Sequence, residues 1–226
     1  MPAPPATERF AGVIFDLDGV LVESEHLWEA NWVAFAARHG AVWTAADTAT
    51  CQGMSSREWS AYLAAKTGQA DPAAVADEVV GSMVRALAAG EVAFLPGAAA
   101  LVREVADRVP VAVASSASRP FIVAVLAAAG VAGRFAAVVS SEDVPRGKPA
   151  PDVYAEAARR AGMAPRRCAA VEDSGVGIRA AAAAGLTVVA IPNRGYPPGP
   201  EALALAAAAV SDADAARRWL LARLPV

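Results

Sequence analysis

The stretch Gly12-Val13-Ile14-Phe15-Asp16-Leu17-Asp18-Gly19-Val20 decides how the rest of the chain is read. Its first four residues form a short apolar run, the pattern of a strand buried on both faces. The run stops at Asp16, and Gly19 lets the backbone turn where a Cβ would clash. Carboxylates two residues apart at such a turn can both face one crevice. At about 4 Å and an effective dielectric near 20 they repel by about 4 kcal/mol. Either a proton on one of them or a cation between them relieves that repulsion. A nucleophile beside a general acid uses the first remedy, and a magnesium site uses the second. A turn with both carboxylates in solvent is the simpler alternative.

Further apolar runs lie at Val111–Ala114, Ala136–Val139, Ala169–Val171 and Thr187–Ile191. Between them are helical patterns: Ala98–Asp107 after Pro96-Gly97, Ser118 to near Gly130, Pro151 to near Gly162, and Gly175–Ala184 closing at Gly185. Proline at helix starts and glycine at helix ends follow the usual capping asymmetry. Strands that alternate with helices pair in parallel and carry helices on both faces. The expected class is therefore α/β: a doubly wound, Rossmann-like parallel sheet. Residues 22–92 break the alternation. Trp28, Trp32 and Phe35 recur at helical spacing, Ser55 and Ser56 can cap a helix running through Lys66, and Asp71-Pro72 opens another. No buried strand is expected there. These residues read as an inserted α-helical cap on a core of 1–21 and 93–226, with a final amphipathic helix in Ser211–Val226.

Each later run also meets polar residues at its carboxyl end, where open α/β sheets place their ligands. Glu172-Asp173-Ser174 adds negative charge, which makes sense at the same crevice if a cation sits there. An oxygen-rich surrounding without histidine favours magnesium over zinc. Asp173 or Ser174 also suits the N-cap of the following helix. Lys148, one of two lysines in the chain, stands between Pro145 and Pro149 and can neutralise a phosphate or the carboxylates, or be a solvated loop residue. Ser115-Ser116 sits at a strand-to-helix turn whose hydroxyl and N–H groups suit phosphate oxygens. His26 and His39 both fall in the helical insert, without metal-ligand spacing.

Composition narrows the partners. A net charge of −3 gives no basic field for a nucleic acid. No apolar stretch approaches the ~20 residues of a membrane-spanning helix, and the Pro- and Ala-rich start, Met1–Phe10, has no apolar leader core. Cys51 and Cys168 read as free buried thiols of a cytoplasmic protein, expected as a monomer or weak homodimer.

Taken together, these motifs resemble those of the haloacid dehalogenase-like superfamily over nearly the whole chain. Asp16-Leu17-Asp18-Gly19-Val20 matches its first motif, Ser115 its second, Lys148 its third and Glu172-Asp173 its fourth. The insert resembles the family's C1-type cap. Asp18 to Trp28, with Glu23-Ser24-Glu25, is similar to the phosphoglycolate phosphatase and β-phosphoglucomutase branch. The resemblance implies a Mg2+-dependent phosphatase of a small phosphorylated metabolite. Asp16 would be its nucleophile and Asp18 its acid–base, with Ser115 and Lys148 holding the phosphoryl group. Magnesium would lie on Asp16, the main-chain carbonyl of Asp18, and Asp173, with Glu172 binding through water or orienting the others. Ser116, and in the cap Gln52, Gly53, Ser55, Ser56 and Arg57, would meet the substrate.

Dehalogenating members lack an acid two residues after the nucleophile, so Asp18 argues against that chemistry. The β-phosphoglucomutase group has a histidine twelve residues after its nucleophile and a Lys-Gly pair in the cap. This chain has Trp28 and Gln52-Gly53, which favours a phosphatase over a mutase. A non-catalytic phosphometabolite-binding protein is a third reading, and the retained carboxylates speak against it.

Overall fold

The structure is a computed structural model that describes residues 9–226, so the reading of the chain's start falls almost entirely outside it. The first strand, β1 (Gly12–Phe15), is the quoted run, and all four residues are buried. Around it stand β4 (Val111–Ser115), β5 (Phe135–Ser140), β6 (Cys168–Glu172), β7 (Thr187–Ala190) and β8 (Ala208–Ala209). Their order, β5-β4-β1-β6-β7-β8, with every pair parallel, is that of a doubly wound sheet. Connections run outward from β1 in one direction to β5, then resume on its other side at β6. The crevice therefore opens where β1, β4 and β6 end together.

Strand alternation gives the two faces different partners. Val13, Phe15, Val111, Val113 and Val171 pack on one side, while Ile14, Ala112, Ala114 and Ala170 pack on the other. The alanine face admits α7 (Asp152–Arg160) and α8 (Gly175–Ala183). The opposite face receives α5 (Ala98–Ala106), α6 (Arg119–Ala128) and the closing helix α10 (Ala213–Leu221), with the short α9 (Pro200–Leu203) beside α8. Part of the alanine bias is thus close helix-on-sheet packing.

The insert holds α1 (Glu25–Arg38), α2 (Ala45–Cys51), α3 (Ser56–Thr67) and α4 (Pro72–Ala88). Local chemistry starts each of the last three. Thr44 and Asp47 form a capping box at α2, Ser55 and Glu58 form one at α3, and the Asp71 side chain accepts from the Ala73 N–H at α4. At the insert's edge, β2 (Val22–Glu23) pairs antiparallel with the exposed β3 (Ala93–Phe94) just beyond it, and the pair brackets the four helices. Two-residue strands are too short to leave a period in the sequence. Trp28 also stacks edge-on against Phe121 of α6, at 5.3 Å between centroids, so insert and sheet domain share apolar contact.

Candidate active site

Asp16 follows β1 directly, and its backbone N–H bonds to the Val171 carbonyl of β6 at 3.0 Å, which fixes the two strand ends side by side. The tight turn after it needs Gly19, whose φ is +74°. A Cβ there would overlap the Asp173 carboxylate, so the first and fourth motifs touch. Lys148 Nζ lies 2.9 Å from Asp16 Oδ1 and 2.6 Å from Glu172 Oε1. Glu172 is fully enclosed. Its Oε1 also accepts from the Tyr154 hydroxyl at 2.7 Å, and its Oε2 accepts from the Asp173 and Ser174 N–H groups and the Ser174 hydroxyl. Gly177 leaves room for it, since a Cβ at that position would occupy the carboxylate's place.

Both Glu172 oxygens are therefore committed within the protein. The residue anchors Lys148 and the start of α8. Ser174, rather than Asp173, caps α8 by accepting from the Gly177 N–H, which leaves Asp173 facing the crevice beside Asn193 (Nδ2 to Oδ2, 2.9 Å).

Charge is unbalanced. Burial pushes Asp16 up to about 8 against the lowering effect of Lys148, with Glu172 and Asp18 adding to the rise. Burial likewise lifts Asp173 well above the usual carboxylate range, and the neighbouring Glu172 and Asp16 lift it further. Burial opposes the Lys148 charge, but Asp16 and Glu172 beside it more than offset this and raise its pKa. Asp16, Glu172 and Asp173 present carboxylate oxygens within 4.8 Å of one another, all buried, against that one ammonium. With Glu172 committed, the oxygens left for a ligand are those of Asp16 and Asp173, and oxygen donors in a site of surplus negative charge fit a hard divalent cation.

Asp18 is held differently. Its Oδ1 accepts from the Ser24 hydroxyl and, at 3.4 Å, from the Trp28 indole N–H, and Oδ2 has no partner among the described residues. Burial raises its pKa, with the Ser24 and Trp28 bonds working against the rise. That favours the protonated acid. Ser115 ends β4, and its oxygen accepts from the Ala117 N–H at 3.1 Å, leaving its own O–H to donate. Neither histidine approaches the site: His26 pairs with Glu23 and His39 lies against Phe35 and Gln69.

Asp16, Asp18, Ser115, Ser116, Lys148 and Asp173 border one cavity of about 310 Å3, roofed by the insert. Gln52 and Gly53 border it, and the Ser116 hydroxyl donates to the Gly53 carbonyl at 3.3 Å. Ser55, Ser56 and Arg57, also expected to meet the substrate, do not border it. Ser55 is spent on the α3 capping box, Ser56 is buried, and Arg57 Nη2 reaches the Glu142 carbonyl at 3.4 Å instead. Of the three, Arg57 joins insert to core through that bond. Sequence reasoning gave no role to Ser24, six positions from Asp18, nor to Tyr154 and Asn193, whose contacts span eighteen and twenty positions.

Glu25 borders the cavity as well, and burial, with the Asp18 and Glu23 charges, pushes it from 4.5 up to about 7. Its folded state holds the proton more tightly than the unfolded chain, so its stabilising share is complete below about pH 4.5 and fades as pH rises through about 7. Glu25→Gln is expected to raise metal-free stability near pH 8 by about 2 kcal/mol and to change little near pH 4. Urea titrations at the two pH values check this.

The sequence profile of the haloacid dehalogenase-like hydrolases matches residues 10–185, which carry every motif residue above. The chain belongs to that family. Among curated relatives, this hydrolase is 32% identical over 183 residues to the fructose-1-phosphate phosphatase YqaB of Escherichia coli, covering 80% of this chain and 96% of that protein. It is 34% identical over 184 residues to hexitol phosphatase A of the same organism, covering 81% and 83%. Among solved structures, CbbY from Rhodobacter sphaeroides in complex with phosphate superposes with a TM-score of 0.80 at 28% identity, over 90% of this chain and 95% of that one. With those relatives, the family places the enzyme among phosphoric monoester hydrolases. Among the described residues, no helix is long and apolar enough to cross a membrane.

Proposed function

We propose that this hydrolase releases phosphate from a phosphorylated sugar, with magnesium, through a phosphoryl group carried on Asp16. The arrangement of Asp16 and Asp18 carries the reading: one carboxylate sits against Lys148, and the other, two residues on, is poised to hold a proton. Asp16 attacks phosphorus as the ester P–O bond breaks, and Asp18 gives its proton to the departing alkoxide oxygen. Ser115 and Lys148 hold the phosphoryl oxygens. Asp18, now ionised, takes a proton from the water that attacks the aspartyl phosphate, and Asp16 is restored. Asp16, Asp173 and the Asp18 main-chain carbonyl would hold magnesium. Bound there, the ion supplies the positive charge that lets a phosphate dianion approach these carboxylates.

The sugar class rests on the named phosphatase relatives and on a cavity sized for a small metabolite. Trp28 weighs against the mutase alternative. At the place where that group has a histidine, an indole N–H faces Asp18. It donates a hydrogen bond but accepts no proton.

A panel of sugar phosphates, assayed with magnesium and with chelator, tests this. Release of inorganic phosphate that stops in chelator is expected. Conversion between two phosphorylated sugars without release would sink it. Magnesium at about 100 times its dissociation constant should also add about 2.7 kcal/mol to stability, a gain that Asp173→Asn removes.

A further inference from the structure

We infer that Asn193 is a positioning residue for the magnesium site, tying Asp173 to the segment 194–199 at the rim of the cavity so that ion and segment stabilise each other. This rests on the magnesium reading above. Asn193 lies just past the end of β7, the parallel neighbour of β6, and so emerges beside Asp173. Two bonds join the residues. The Asn193 N–H donates to the Asp173 carbonyl at 3.3 Å, and Asn193 Nδ2 donates to Asp173 Oδ2 at 2.9 Å. The other end of the amide is also committed: Oδ1 accepts from the Gly195 N–H at 2.9 Å and the Tyr196 N–H at 3.1 Å. Backbone N–H groups only donate, so the amide oxygen has to face them and the NH2 has to face Asp173.

That contact selects an oxygen of Asp173. Oδ2 is taken by the amide, while Oδ1 has no hydrogen-bond partner among the described residues and is the one left for an ion. Gly19 confines the same carboxylate from another side, since a Cβ there would overlap it. A carboxylate held in place by its neighbours meets an ion already oriented, which strengthens binding. Asn193, Tyr196, Pro197, Pro198 and Gly199 all border the cavity, and Tyr196 is exposed. An ion that fixes Asp173 therefore also fixes Asn193 and the turn it holds, and such coupling is reciprocal.

The test compares wild type with Asn193→Leu, which keeps a branched shape but neither donates nor accepts through its side chain. Magnesium affinity is measured by calorimetry where both proteins are folded, and urea titration without metal reports the fold separately. The variant should bind magnesium about tenfold to a hundredfold more weakly. In wild type, magnesium should slow hydrogen exchange at the Gly195 and Tyr196 amides, and in the variant that slowing should be lost.

Unchanged magnesium affinity in the folded variant overturns the inference, even if metal-free stability falls, because Asn193 would then serve the turn alone. Exchange that magnesium does not slow in wild type also overturns it, and that measurement decides alone should the variant fail to fold. Wild type that binds no magnesium would instead sink the magnesium reading, and this inference with it.

Discussion

Asp16→Asn is expected to lower turnover by about four orders of magnitude or more. The amide keeps the shape and the contact with Lys148 but supplies no nucleophilic oxygen. What marks this loss as chemical is the accompanying stability. Asp16 is a buried carboxylate pushed up to about 8, so at neutral pH without metal it costs stability to ionise it. Its neutral replacement should leave the metal-free protein at least as stable as wild type. Steady-state assay and thermal unfolding of the one variant check both halves. Lost activity together with a lower melting temperature would point to damaged packing instead.

Asp18→Ala is expected to cost about a hundredfold to ten-thousandfold in kcat, with the fold intact. The loss should depend on the leaving group. A sugar alkoxide needs the Asp18 proton as the ester bond breaks, whereas a nitrophenolate leaves without one. The variant should therefore retain more of its rate on an activated aryl phosphate than on a sugar phosphate. Because Ser24 and Trp28 hold the other end of that carboxyl, replacing either should produce a milder form of the same pattern. Equal losses on both esters would remove Asp18 from the acid step.

The parts of this site visible in the sequence are those where chemistry and local structure share one segment. Gly12-Val13-Ile14-Phe15 is buried on both faces because β1 is the central strand, and a run with no polar residue announces that without any partner being known. Asp16 and Asp173 directly follow their strands and Ser115 and Glu172 end theirs, so placing the strands places them. Lys148 was legible through its prolines. What stayed hidden depends on contacts between distant segments. Tyr154 reaches Glu172 across eighteen positions and Asn193 reaches Asp173 across twenty, and neither leaves a mark in its own neighbourhood.

Ser55, Ser56 and Arg57 lie away from the cavity for a different reason. Ser55 and Glu58 spell out a capping box, a local signal strong enough to occupy the hydroxyl, yet Ser55 was also expected to meet substrate. Glu172 shows the limit of counting charges. Four carboxylates and one lysine imply a cation, but only coordinates show that this carboxylate is already spent on Lys148, Tyr154 and the α8 backbone.

The most direct measurement is to mix the protein with magnesium and a sugar phosphate bearing radiolabelled phosphate, quench with acid within one turnover, and map the label. The account predicts label on the peptide that contains Asp16, and none on the Asp16→Asn protein. Label on another residue, or an unlabelled protein that turns over at full rate under conditions where the acyl phosphate survives, would contradict it.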